Sequence, residues 1–196
     1  MRSGDLEAVD MLARDSVDRC MATMTQFWVF GYGSLMWNPG FAYVAAEPAL
    51  IHGYHRALCV LSHIYRGTQD VPGLVLGLDR GGSCHGVAFR VDEAEWPVAL
   101  AYLRAREQVT MVYVETDVPA RLLRTGETVN ALTYVVDRGH QQYARHLSED
   151  QLVTMVRNGV GKAGSCRDYV ISTADHLRSL NIEDRHLEGI VAALGR

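Results

Sequence analysis

Strand-like segments fill most of the first two thirds of this chain, and helical patterns are concentrated in the last third. Parallel strands need a long crossover connection, usually a helix, so a doubly wound parallel sheet alternates strand and helix regularly. No such alternation is found in this sequence. We therefore predict an α+β fold: a small, mixed or mostly antiparallel β-sheet or barrel flanked by helices.

The predicted strands are short apolar or β-branched runs that end at glycine or polar residues. The first run, residues 27–30, stops abruptly at Gly31. A cluster of turn-forming residues at 79–83 predicts a hairpin, and the adjacent Cys84 and His85 are placed in the same turn. The other predicted strands are residues 57–61, 73–78, 86–91, 112–114 and 130–136.

Two side-chain signals mark where helices begin. Pro97 has no amide hydrogen and therefore belongs in a first helical turn, which predicts a helix with Val98 on its apolar face. Ser148 and Gln151 have the spacing of a capping box, and the helix that they open is predicted to stop at Gly159. The predicted helices cover residues 98–106, 149–158, 167–180 and 184–194.

The domain is predicted to span residues 27–196. Residues 1–26 mix acidic and apolar positions, with the apolar ones near helical spacing, and predict an N-terminal extension that forms an amphipathic helix. This start has neither the basic end nor the apolar middle of a signal peptide. No apolar run approaches the roughly 20 residues that span a bilayer, so no membrane partner is expected.

Composition narrows the class of protein further. Of 196 residues, 48% are hydrophobic and 21% are charged, which is ordinary for a globular domain. The net charge is -4 without a basic cluster, and this argues against nucleic acid as a partner. The four widely spaced cysteines predict free thiols in a reducing compartment, and we expect a cytoplasmic protein.

The loop of residues 31–36 is the first candidate binding site. Gly31 and Gly33 allow close approach of the backbone to a ligand, and successive amides in such a turn suit a carboxylate or oxyanion. Ser34 adds a hydroxyl donor. The loop lacks the endings of a phosphate loop, a dinucleotide fingerprint and a nucleophile elbow. Taken alone, it fits a tight turn without a ligand at least as well.

Glu107 is the second candidate. It follows the predicted helix over residues 98–106, where the negative end of the helix dipole and partial burial would both raise the pKa of a carboxyl group toward that of a general base. The competing interpretation is a surface glutamate paired with Arg104 or Arg106.

Metal and thiol chemistry are disfavoured. His52 and His55 have ligand-like spacing but no accompanying cysteine or HExxH signature, so a structural role is preferred to zinc. Cys84 beside His85 does not have the long sequence separation typical of a catalytic cysteine–histidine pair.

The run WVFGYGSLMWNPGF at residues 28–41 resembles the opening of the ChaC-like γ-glutamylcyclotransferases. The resemblance continues through residues 66–68, 72–73, 86–89 and 102–107, and to Tyr143, Gly161 and residues 168–170. It covers about residues 27–195 and implies a small mixed β-barrel with flanking helices. It also implies an enzyme without a metal or organic cofactor that degrades glutathione to 5-oxoproline and cysteinylglycine.

The same resemblance assigns site residues. Glu107 matches the catalytic glutamate of the family, and the segment that binds the γ-glutamyl group corresponds to Gly31, Tyr32, Gly33, Ser34, Leu35 and Met36. Tyr143 is a candidate hydrogen-bond donor to the substrate. Other γ-glutamyl amines or amino acids are alternative substrates, and a non-catalytic metabolite-binding module is the alternative from another class. The oligomeric state is left open.

Three positions depart from the family pattern. Met111 stands where relatives often have a small residue, Cys166-Arg167 where an asparagine is frequent, and His85 where a basic arginine is frequent. These changes bear on which γ-glutamyl compound fits rather than on ring closure itself.

Overall fold

The computed structural model describes residues 26–145 and 147–195. Within them, five strands close into a barrel in the order β1-β3-β2-β4-β5. Neighbouring strands are antiparallel except β1 and β5, which are parallel. The predicted α+β class with a mostly antiparallel barrel is therefore confirmed. The strands are β1 (Phe27–Gly31), β2 (Ala45–Ser62), β3 (Gly73–Val91), β4 (Tyr113–Leu122) and β5 (Thr128–Val136).

The hairpin predicted at residues 79–83 is wrong. These residues, with Cys84 and His85, belong to the single strand β3, which pairs with β2 along its length. Gly81 and Gly82 have φ values of 101° and 71°, and the register of the pair shifts opposite them near Gly53. The glycines therefore form a bulge that bends two long strands around the barrel instead of reversing the chain.

The predicted helices are present. They are α1 (Trp96–Glu107), α2 (Glu149–Asn158), α3 (Cys166–Ser179) and α4 (Arg185–Leu194), with a two-stranded ribbon of β6 (Val160–Gly161) and β7 (Gly164–Ser165) between α2 and α3. Pro97 lies in the first turn of α1, and Ser148 forms the capping box with Gln151. The predicted apolar face of α1 is wrong, because Val98 is 67% exposed whereas Ala99 and Leu103 are buried.

The helices pack on two sides of the barrel. Helix α1 covers β1 and β5 through Ala99 and Leu103, which meet Val29, Leu132 and Tyr134. Helices α2, α3 and α4 pack together, and their buried side chains are continuous with the barrel core. At about 25 cal/mol per Å² of apolar surface removed from water, this continuous core is the main stabilising contribution.

The predicted N-terminal extension lies outside the described residues, apart from Gln26. Cys59, Cys84 and Cys166 are buried free thiols, as predicted, while Cys20 falls in the part that is not described. Among the helices of residues 26–145 and 147–195, none has the length and hydropathy of a membrane-spanning segment.

Candidate functional site

A cavity of about 420 Å³ opens beside the loop that follows β1. The loop lines it with Tyr32, Gly33, Ser34 and Leu35, and the end of α1 contributes Glu107. The loop turns back through a short 3-10 helix over Ser34–Met36. The loop and Glu107, the two candidate elements of the sequence, thus meet in one cavity although they are far apart along the chain.

Gly31 and Met36 support the loop from behind and do not line the cavity. A Cβ on Gly31 would lie 3.1 Å from the Cβ of Leu35 and 3.4 Å from the amide nitrogen of Met36. Glycine at position 31 therefore lets the chain fold back tightly on the end of β1. The Met36 side chain is buried in the barrel core.

A buried arginine holds the backbone of this loop. Arg56 on β2 donates from Nε to the carbonyl oxygen of Tyr32 at 2.6 Å and from Nη2 to the carbonyl oxygen of His85 at 2.7 Å. Its Nη1 donates to Oδ2 of Asp184 at 2.9 Å. Asp184 also caps α4 by accepting the amide of Leu187. One side chain therefore links the loop, the middle of β3 and the last helix.

Glu107 is the last residue of α1, and its side chain is 18% exposed. Burial raises the pKa of its carboxyl group, while the adjacent Arg106 opposes this shift. Nε of Arg106 lies 3.1 Å from Oε1 of Glu107. The burial and the arginine pairing, which the sequence offered as alternatives, are thus both present, and burial has the larger effect on the pKa.

Arg106 joins the two halves of the site. Its Nη2 donates to Oγ of Ser34 at 2.8 Å, and its Nη1 donates to the carbonyl oxygen of Asn38 at 2.7 Å and to the hydroxyl of Tyr102 at 3.0 Å. These contacts fix the loop relative to the Glu107 carboxylate. Sequence reasoning treated this arginine only as a possible surface partner of Glu107.

Aromatic residues from distant parts of the chain form the rest of the wall. The hydroxyl of Tyr113 donates to the carbonyl oxygen of Leu76 at 2.6 Å, and the hydroxyl of Tyr169 accepts the Leu76 amide at 3.2 Å. Burial raises the pKa of Tyr169 to about 12 and raises that of Tyr113 as well. Both phenols are therefore protonated at neutral pH, and the Tyr169 proton is available to a ligand.

Close backbone packing positions the last wall, residues 64–67. A Cβ on Gly161 would lie 2.5 Å from the carbonyl carbon of Tyr65, and one on Gly73 would lie 2.1 Å from the carbonyl oxygen of Arg66. The Arg66 guanidinium lies 5.1 Å from the centre of the Tyr169 ring, within cation–π range. Glycines at 73 and 161 therefore bring Tyr65 and Arg66 to the cavity.

Tyr143 is not brought to this cavity. It lies between β5 and α2, where its hydroxyl donates to Oδ2 of Asp79 at 2.9 Å. The same carboxylate accepts Nε of Arg138 at 2.6 Å through Oδ1. Of the departures from the family pattern, Met111 is exposed with a φ of 60°, and Cys166 is buried against the Leu74 backbone.

The described residues contain no group of three or more histidine, cysteine, aspartate or glutamate side chains arranged to hold a metal ion. His52 and His55 lie on β2, where Nδ1 of His55 contacts the carbonyl oxygen of Gly81 at 3.0 Å. The reactive groups at the cavity are accordingly one partly buried carboxylate, guanidinium groups, tyrosine hydroxyls and loop amides. Such a set can bind an anion, transfer a proton and stabilise an oxyanion.

Comparison with known proteins relates this chain, over most of its length, to one family. A family model described as ChaC-like protein matches residues 27–196. The chain is 32% identical over 167 residues to the glutathione-specific gamma-glutamylcyclotransferase of Escherichia coli (strain K12). This match covers 85% of this chain and 72% of that protein. It is 34% identical over 173 residues to glutathione-specific gamma-glutamylcyclotransferase 1 of Mus musculus, covering 86% and 78%.

A solved structure has the same fold. The crystal structure of a selenomethionine-labelled gamma-glutamyl cyclotransferase specific to glutathione from yeast matches with a TM-score of 0.77 at 20% identity. The match covers 87% of this chain and 96% of that chain.

Proposed function

Because this chain belongs to the ChaC-like protein family, we propose that it is a γ-glutamylcyclotransferase that converts glutathione to 5-oxoproline and cysteinylglycine. One observation carries the proposal for the site. The Tyr32–Leu35 loop and the Glu107 carboxylate, which is partly buried and has a raised pKa, line the same cavity. Among the described residues that line this cavity there is no histidine and no cysteine, so it holds no nucleophile paired with a histidine, and the proposed reaction needs none.

The substrate supplies its own nucleophile. Its α-amine attacks the γ-carbonyl carbon, a new carbon–nitrogen bond closes the five-membered ring, and the bond to the cysteine nitrogen breaks. An ammonium group has no free electron pair, so Glu107 accepts a proton from it before or during attack. The same carboxyl group returns this proton to the cysteine nitrogen. It then takes the second proton that the attacking nitrogen must lose to become the ring amide and passes it to the departing amine, so that two protons move in all and balance over the cycle. Holding the γ-glutamyl chain curled for closure supplies the orientation advantage.

The loop and Arg106 orient the substrate in this proposal. The amides at the start of the 3-10 helix over Ser34–Met36 have no partner within that helix, so they suit the α-carboxylate or the developing oxyanion. Arg106 keeps Ser34 and Glu107 at a fixed separation and supplies positive charge beside both. Tyr169 offers a further hydroxyl donor.

The direct test is to incubate the purified protein with reduced glutathione, oxidised glutathione and several γ-glutamyl amino acids while measuring 5-oxoproline. We expect product from reduced glutathione at the highest kcat/KM. Higher efficiency with another γ-glutamyl compound would move the assignment to that substrate. An absence of product from every compound, combined with tight binding of one of them, would favour a metabolite-binding module.

The pH profile reports on Glu107. A base must be deprotonated, so kcat/KM is expected to fall as the pH is lowered through the pKa of its carboxyl group. Because burial raises this pKa, the decline should centre at a higher pH than the ordinary glutamate value of about 4.3. Arg106 opposes the shift, so Arg106→Gln should move the decline to still higher pH. An acid limb that does not move would mean that the profile reports a group of the substrate.

The cytoplasm is the compartment that we propose for this activity. Cys59, Cys84 and Cys166 are buried free thiols, which supports a reducing environment. Glutathione maintains that environment in the cytosol. Glutathione as the substrate and free cysteine thiols are therefore both compatible with the cytoplasm.

A further inference from the structure

Glu107 lies between two cavities. The second cavity, of about 560 Å³, shares Tyr65, Val75, Arg106, Glu107 and Tyr113 with the first and extends away from the Tyr32–Leu35 loop. During ring closure the γ-glutamyl half curls on itself while the amine departs in another direction. With the γ-glutamyl half on the loop and the reacting bond at Glu107, the second cavity has the position needed for the other half of the substrate.

The lining of the second cavity suits an anionic ligand. Apart from Glu107, none of the residues that line it is acidic. The guanidinium of Arg106 also lines it, and its other polar side chains are amides, hydroxyls and two imidazoles, among them Ser62, His63, Gln69, Thr110, His140 and Gln141. Nδ1 of His63 is buried and has no hydrogen-bond partner within the described residues.

His140 presents a defined donor. Its Nδ1 accepts the backbone amide of Gln142 at 3.1 Å, so Nδ1 carries no proton. In an imidazole with an unprotonated Nδ1, Nε2 bears the hydrogen and acts as a donor. The backbone thus selects the tautomer in which the outer nitrogen of this partly buried ring can donate to a carboxylate.

The segment that carries His140 is held at both ends. Arg138 and Tyr143 both bind the buried carboxylate of Asp79, and the amide of Leu61 donates to the carbonyl oxygen of Gln142 at 2.8 Å. The side chain of Gln142 returns a hydrogen bond to Leu61 at 3.0 Å. Tyr143 is therefore a positioning residue for the second cavity, through Asp79 and this segment.

We propose that the second cavity binds the leaving half of the substrate, a short peptide amine that ends in a carboxylate, and that His140 recognises this carboxylate. The inference rests on the proposed function and adds a basis for its selectivity. It predicts that the enzyme distinguishes glutathione from a derivative that differs only in having its terminal carboxylate converted to an amide.

The test compares glutathione with glutathione C-terminal amide in the wild type and in His140→Leu. We expect the wild type to favour glutathione, chiefly through KM, and His140→Leu to reduce this selectivity about 10- to 100-fold, the effect of losing a hydrogen bond to a charged group. His140→Gln keeps an amide donor near the position of Nε2 and should recover part of the preference. His52→Leu, an exposed histidine on β2 that lines neither cavity, is the matched control.

A second readout separates this inference from the proposed function. The dissociation constants of glutathione and of its amide, measured by calorimetry in the wild type or, if turnover interferes, in a Glu107→Gln background, should show the same selectivity and the same loss in His140→Leu. Weak activity on every substrate would contradict the proposed function, and the binding ratio would still decide the role of His140. An equal effect of His140→Leu on both ligands, or none on either, would overturn the inference.

Discussion

Replacing Glu107 with glutamine is expected to lower kcat for 5-oxoproline formation by about 100- to 10,000-fold, the usual contribution of a general acid–base residue. Glutamine has nearly the same shape and still accepts a hydrogen bond from Arg106, but it cannot take a proton from the α-ammonium group. The KM for glutathione should change much less than kcat, because the loop contacts remain. Steady-state kinetics with quantified 5-oxoproline measure both values.

Glu47→Gln is the matched control. Glu47 is a partly buried carboxylate on β2 and lines neither of the cavities that share Glu107. Glu47→Gln should leave kcat within about two-fold of the wild type, as expected when the replaced residue does not take part in proton transfer. Near-normal turnover of Glu107→Gln would show that another group accepts the proton.

Glu107→Gln also tests how the charge of this carboxylate affects the stability of the folded protein. Burial raises the pKa of Glu107 above its value in the unfolded chain, so its contribution to stability is fully present below the unfolded pKa and is lost as pH rises through the folded pKa. At neutral pH the ionised carboxylate is therefore unfavourable in the folded protein. Glu107→Gln should unfold at a temperature no lower than that of the wild type, so that lost activity is not lost folding.

Local signals in the sequence were sufficient for much of the fold. Pro97 and the capping box of Ser148 located two helix starts because each acts within one helical turn. The glycines at 81 and 82 were misassigned because a reverse turn and a bulge both need positive φ. Their effect depends on the partner strand, and β2 contributes Gly53 at the matching position.

The candidate site required long-range contacts that no local pattern contains. Glu107 and the loop were identifiable from residue type and family resemblance, and the structure brings them together. Arg56 was missed because its partner, Asp184, is 128 positions away. Tyr143 was assigned to the substrate from the resemblance, while its observed contact is with Asp79, 64 positions away.

Arg56→Met is expected to lower the free energy of unfolding by about 3–5 kcal/mol, the usual cost of removing one partner of a buried ion pair. The side chains of Arg56 and Asp184 are 4% and 14% exposed, so little water reaches the carboxylate that is left behind. The carbonyl groups of Tyr32 and His85 lose their donor as well. Urea denaturation followed by circular dichroism measures this loss.

The role of the charge itself is isolated by adding Asp184→Asn, because asparagine still caps α4. The double variant should be more stable than Arg56→Met alone, since no unpaired carboxylate remains buried. The double variant should nevertheless have a higher KM for glutathione than the wild type, because Arg56 no longer holds the peptide plane between Tyr32 and Gly33. The Gly33 amide belongs to that plane and points opposite to the Tyr32 carbonyl, so it loses its orientation.

Arg104→Met is the matched control. It breaks the exposed pair with Glu115 and should cost less stability and leave KM unchanged. Equal losses in Arg56→Met and Arg104→Met would contradict the idea that Arg56 ties the loop to the last helix.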